Sequence, residues 1–167
     1  PVPKPDARDA VAPADDVLPL ADGWRMAAGE AGGAEWTRTG FDAAGWKTVR
    51  LGAFAAMGLP EDAAARFRRD VALPEAWKGR RVRLVFDSEY TSAGGFGLRE
   101  KAQLWANGAE LTAQPLGAQP FSFDVTEQAR EGRLTLALAL DGRLGKADAL
   151  RQRPAGATGL FYVQAEP

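Results

Sequence analysis

The sequence predicts an all-β chain, an antiparallel β-sandwich of jelly-roll type, on three observations. Its clearest segments alternate apolar and polar residues with a period of two. Phe121, Phe123 and Val125 alternate with Ser122, Asp124 and Thr126, and Leu134, Leu136, Leu138 and Leu140 alternate with Thr135, Ala137 and Ala139, as half-buried strands require. Asn107-Gly108 stands between Leu104-Trp105 and Glu110-Leu111, and a two-residue type I′ hairpin favours that dipeptide because both central positions need positive φ. Finally, about eight such short segments are separated by polar or glycine-rich stretches, the arrangement of sandwiches and jelly rolls.

Taken in order, residues 1–16 are rich in Pro, Ala and Asp without apolar periodicity. They read as a linker or poorly ordered lead-in, with one folded domain expected over 17–167. Residues 18–26, centred on Gly23-Trp24, read as a first edge strand, and 29–33 as a glycine-rich loop. Beyond Trp36, the segment 41–49 reads as a short turn followed by extended chain. Residues 53–65 have a helical composition, yet Gly58 and Pro60 interrupt it, which predicts a long loop with at most one helical turn. Strands resume at Phe67. The run from there to Phe86 reads as strand, Pro-Trp-Gly corner and strand, with Val82, Leu84 and Phe86 on one side and Arg81 and Arg83 on the other. Residues 126–130 can make one helical turn that Gly132 ends, and 160–164 form the last strand after a polar loop.

With 167 residues, 46% of them hydrophobic and 26% charged, the chain fits one domain burying about two-thirds of its unfolded surface. No apolar stretch approaches the ~18 residues of a membrane span, and the first residues lack the regions of a signal peptide. There is no cysteine, hence no disulfide or thiolate chemistry. There is no histidine either, which removes the commonest general base, the serine-triad partner and the usual zinc or copper ligand. Arg66, Arg68, Arg69, Lys78, Arg80, Arg81 and Arg83 cluster in sequence, but strands divide them between two faces, and the net charge is −1. No nucleic-acid partner is expected.

Gly23-Trp24, Phe41-Asp42 with Gly45-Trp46, the run 67–86, Trp105-Ala106-Asn107-Gly108, the run 120–126 and Gly159-Leu160-Phe161-Tyr162-Val163 stand in an informative order. Together they resemble the sugar-binding, galactose-binding-like jelly-roll domain of family 2 glycoside hydrolases, over about residues 18–165. The resemblance implies a non-catalytic accessory module, because that family's acid and nucleophile carboxylates sit in a separate barrel domain. It also implies a carbohydrate partner, a catalytic domain in a parent bacterial protein, and a periplasmic or secreted location. Trp24, Trp46, Trp77 and Trp105 fall where that family places packing residues. The chain differs from the family at its end, where Tyr162 and Val163 replace an arginine and an acidic residue, and in a longer run 88–100 before the hairpin.

That run is where a site is expected. A sugar needs an aromatic face against its C–H surface and polar groups for its hydroxyls, and Tyr90, Phe96, Glu89, Arg99 and Glu100 supply both kinds. Gly94, Gly95 and Gly97 let the backbone bend close to a ligand. The competing reading is a long loop whose aromatic residues tuck back onto the sandwich. Arg151, Gln152 and Arg153 could line the same end. Trp36, following a glycine-rich loop, is the candidate exposed stacking platform. A glycosidase needs two carboxylates roughly 5–10 Å apart; Asp87, Glu89 and Glu100 are near enough in sequence, though surface charge explains them equally. No nucleophile motif such as Gly-x-Ser-x-Gly is present, so no catalysis is expected. No cofactor is expected beyond a calcium ion on oxygen ligands such as Asp87 and Glu89, for which no Asp-x-Asp-x-Asp-like loop is present. The alternative from another class is a structural or protein-docking sandwich without glycan affinity, which the ending at Tyr162 and Val163 favours.

Overall fold

The computed structural model describes residues 16–87, 102–112, 121–142 and 160–167. In chain order its strands are β1 (Val17–Pro19), β2 (Trp24–Ala28), β3 (Lys47–Val49), β4 (Ala64–Ala72), β5 (Val82–Asp87), β6 (Gln103–Ala106), β7 (Ala109–Glu110), β8 (Phe121–Asp124), β9 (Arg133–Asp141) and β10 (Leu160–Ala165). They form two antiparallel sheets, one of four strands in the order β1-β10-β5-β8 and one of six in the order β3-β2-β4-β9-β6-β7. The expected all-β antiparallel sandwich is what forms.

The ladder between β4 and β9 sorts the residues. Ala65, Phe67, Arg69 and Val71 lie opposite Leu140, Leu138, Leu136 and Leu134, and between them Arg66, Arg68 and Asp70 lie opposite Ala139, Ala137 and Thr135. Because side chains alternate across the sheet, the first set faces the other sheet and the second faces outward. The inner set meets Trp24, Met26, Leu84, Phe86, Leu104, Phe161 and Val163 in one buried core. Trp24 stacks on Phe161 with ring centroids 5.4 Å apart, and its indole N–H donates to Leu20 O. Each large apolar side chain fully buried there contributes about 1.5–3 kcal/mol.

Two expectations need correction. Residues 18–26 are not one edge strand: β1 belongs to the four-stranded sheet and β2 to the six-stranded one. Leu20 and Ala21 are buried at the crossing, and Gly23 turns the chain at φ +80°. A side chain at Gly23 would also meet the Arg69 guanidinium, 3.6 Å from where its Cβ would stand. Strand β4 begins at Ala64 rather than Phe67, because Ala65 is already an inward position, one that an alanine-rich composition hides.

The remaining punctuation follows the sequence. A single 3-10 turn, Phe54–Met57, ends at Gly58 with φ +79°. The turn Gln128–Glu131 ends at Gly132 with φ +77°, and Asn107 and Gly108 take φ of 48° and 81° in the hairpin between β6 and β7. Asn107 also ties that hairpin down: its amide donates to Gln128 O at 2.7 Å and its carbonyl accepts from Thr135 N at 2.7 Å.

The outward face of the six-stranded sheet is covered in part by the chain between β2 and β3. There a second cluster of Trp36, Trp105, Ala137 and Ala139 is buried, together with Arg68, which is 3% exposed. Arg68 donates to Trp36 O and Arg38 O and lies 3.9 Å from an Asp70 oxygen. Burial pushes its pKa down, and the Asp70 charge opposes that. Arg68→Met removes the donor to two main-chain carbonyls and is expected to lower stability by about 2–3 kcal/mol. Urea unfolding checks this, and an unchanged midpoint would refute the anchoring role.

At the end of β8, Asp124 accepts from the hydroxyl and N–H of Thr126 at 2.6 and 3.0 Å and pairs with Arg81 at 3.2 Å. The Thr126 bonds first, and Arg81 after them, lower its pKa from 3.8 to about 2. A depressed carboxylate contributes stability above its unfolded pKa and loses it as pH falls through the folded one. The Asp124→Asn variant is therefore expected to be less stable than the parent at neutral pH. Melting curves collected across the acid range should show the two converging as pH drops from 3.8 to about 2.

Candidate functional site

Trp36, expected as an exposed stacking platform, is 3% exposed. Its ring packs edge-on against Trp105 at 5.3 Å and tilted against Trp46 at 6.2 Å, and its N–H donates to Ala31 O at 2.6 Å. The cause lies beneath it: Ala137 and Ala139 face outward from β9 and leave a hollow, and the glycine-rich chain doubles back so that the indole fills it. The packing role expected of the other tryptophans holds for Trp24, Trp77 and Trp105, all buried, while Trp46 is half-buried.

The exposed position next to this cluster is Phe41, the only large apolar side chain among the described residues that is exposed, at 36%. Its ring meets Trp46 edge-on at 5.7 Å and lies 5.4 Å from the Arg68 guanidinium. Asp42 accepts from Ala44 N at 2.9 Å and Trp46 N donates to Ala43 O at 3.0 Å, and this turn sets the two rings together. On Trp46 the guanidinium of Arg66 sits 5.3 Å from the ring centroid. Arg25 Nη1 donates to Trp46 O at 3.3 Å. The sequence signal for this corner was the pair Phe41-Asp42 and Gly45-Trp46, but nothing in it marked Phe41 as the ring left in solvent.

Tyr90, Phe96, Glu89, Arg99 and Glu100 lie outside the described residues, as do Arg151, Gln152 and Arg153. Asp87 closes β5 opposite Leu160, and Asp141 closes β9 opposite Ala64, so the strands that lead into 88–101 and 143–159 leave from one end of the sandwich. The opposite end holds two shallow clefts of about 160 and 260 Å³ that share Trp77, Ala129 and Arg130. Trp77 is 2% exposed and offers no ring face there. The cleft rims carry exposed ion pairs, Lys78 with Glu75 at 3.9 Å and Arg130 with Glu127 at 2.8 Å, of a kind worth little individually. At this end Arg80 joins the two ends of the described chain, pairing with Asp16 at 2.8 Å and donating to Glu166 O at 2.9 Å. Among the described residues no three His, Cys, Asp or Glu gather closely enough to hold a metal ion, and no helix is long and apolar enough to cross a membrane.

No protein-family model and no curated protein matches the chain. Solved structures do match in fold. A calcium-binding mutant of β-glucuronidase 2 from Bacteroides uniformis superposes with a TM-score of 0.68 at 19% identity, covering 90% of this chain and 18% of that one. A family 2 glycosyl hydrolase from Bacteroides cellulosilyticus gives 0.68 at 15% identity, covering 90% and 20%. A β-glucuronidase from Bifidobacterium dentium, complexed with coumarin-3-O-glucuronide, gives 0.63 at 20% identity, covering 93% and 31%. At these identities the likeness is one of fold, and the chain is similar to a β-sandwich portion that makes up less than a third of each of these enzymes.

Proposed function

We propose that this chain is a non-catalytic, carbohydrate-associated accessory module of jelly-roll type that binds a poly- or oligosaccharide weakly. The reading rests above all on the fold match of nine-tenths of this chain to a minor part of larger sugar-cleaving enzymes. The sequence adds to it: with no histidine and no cysteine in 167 residues, the usual nucleophile-and-base pairs are lacking. In this reading a catalytic domain of the same parent protein performs hydrolysis outside the cytoplasm. The module supplies shallow contacts from the loop end, through Tyr90, Phe96, Glu89, Arg99 and Glu100, with aromatic rings for C–H faces and charged groups for hydroxyls.

A glycan array probed with the purified 167-residue chain, with and without added calcium, tests this. The expected result is saturable binding to at least one oligosaccharide, weakened about tenfold or more in a Tyr90→Ala, Phe96→Ala double variant. A folded protein that binds nothing on the array would instead favour a structural or protein-docking domain.

A further inference from the structure

We propose a second glycan contact on the outward face of the six-stranded sheet, with the Phe41 ring as stacking platform and the Arg66 guanidinium as hydrogen-bond donor. The proposal rests on the carbohydrate-associated reading but uses side chains other than those that reading invokes.

Three features of the face carry it. The Phe41 ring is fixed before any ligand arrives: Trp46 abuts it, and the Arg68 guanidinium that covers one of its faces is itself held by the carbonyls of Trp36 and Arg38, leaving the other face for a ligand. A rigid aromatic surface binds without the cost of ordering a mobile side chain. Beside it, Arg66 lies against Trp46 and makes no hydrogen bond with any described residue, and its Nε is buried without a partner. Among the described residues Arg25 makes a single hydrogen bond, to Trp46 O. A guanidinium carries five N–H donors in a fixed fork; the buried Nε is not one a ligand reaches, so the Nη groups of Arg66 are the donors beside the ring.

A pyranose matches that offer. One side of its ring presents C–H groups that an aromatic face takes up, and its rim of hydroxyl oxygens, or a uronate carboxylate, accepts from guanidinium. A protein partner fits less well. Specific protein interfaces bury roughly 800 Å² on each side, whereas among the described residues Phe41 is the sole exposed large apolar side chain.

The test uses the 167-residue chain on an array of neutral and uronate-containing oligosaccharides, with calorimetric titration of the strongest hit. Phe41→Ala and Arg66→Met are each expected to weaken binding about tenfold. Thermal unfolding should show Phe41→Ala folded, as a mostly surface substitution allows. Should it unfold, Phe41→Leu retains apolar volume without a π face and is expected to lose the same affinity. Binding that survives both the Phe41 and Arg66 changes but is lost in the Tyr90, Phe96 double variant would overturn this platform and leave the accessory-module reading standing. A parent chain that binds no glycan would overturn both.

Discussion

The nine-residue ladder between β4 and β9 is the constraint from which the rest of the molecule takes its faces. Its register puts Phe67 beside Leu138 in the core and Arg68 beside Ala137 outside. A slip of one residue would exchange those faces, sending Arg66 and Arg68 into the leucine layer. The cost of burying guanidinium among leucines is far larger than the loss of any one ladder bond, so the register is strongly specified. β2 and β6 then pair on the outer edges of β4 and β9 in matching phase: Met26 joins Phe67, and Leu104 joins Leu138. The outward positions Arg25, Arg68, Ala137 and Trp105 follow without further choice.

Most of this was legible in the sequence because period-two alternation reports burial on one face. Leu134 to Leu140 and Val82 to Phe86 show their faces for that reason, and Asn107-Gly108 marks its turn because positive φ at both positions is a local demand. What was not legible is what depends on a distant surface. Gly23-Trp24 looked like the middle of a strand, since the Arg69 guanidinium that fills the space beside Gly23 is contributed by β4. Trp36 reads as free because it follows a glycine-rich loop, while the hollow it fills is made by Ala137 and Ala139, about a hundred residues later in the chain. Outward alanines in a strand were the available hint. They imply that something large covers them, although they do not say which of five tryptophans does so.

The arginines of β4 show how one residue type serves opposite faces. Arg68 points outward yet is buried, because the covering chain closes over it and its carbonyls accept the guanidinium hydrogen bonds. Arg69 lies on the inward parity at the sandwich margin, where Nη1 is 3.5 Å from Pro19 O. Burial lowers its pKa, and Asp22 counteracts the shift. In each case planar geometry and delocalised charge permit an arrangement that a lysine ammonium, compact and strongly hydrated, would not satisfy. Two guanidinium groups thus fix the chain on either side of β2, one holding the crossing from β1 and the other the cover between β2 and β3.

A third guanidinium, that of Arg80, acts at the end that holds the Trp77 clefts. Asp16 and Glu166 leave the sandwich side by side, drawn together by Arg80 and by the bond from Ala165 N to Asp16 O. β5 and β9 run from this end and close at Asp87 and Asp141 at the other. Phe41, in turn, is anchored through Arg68 to the same ladder that sets the core.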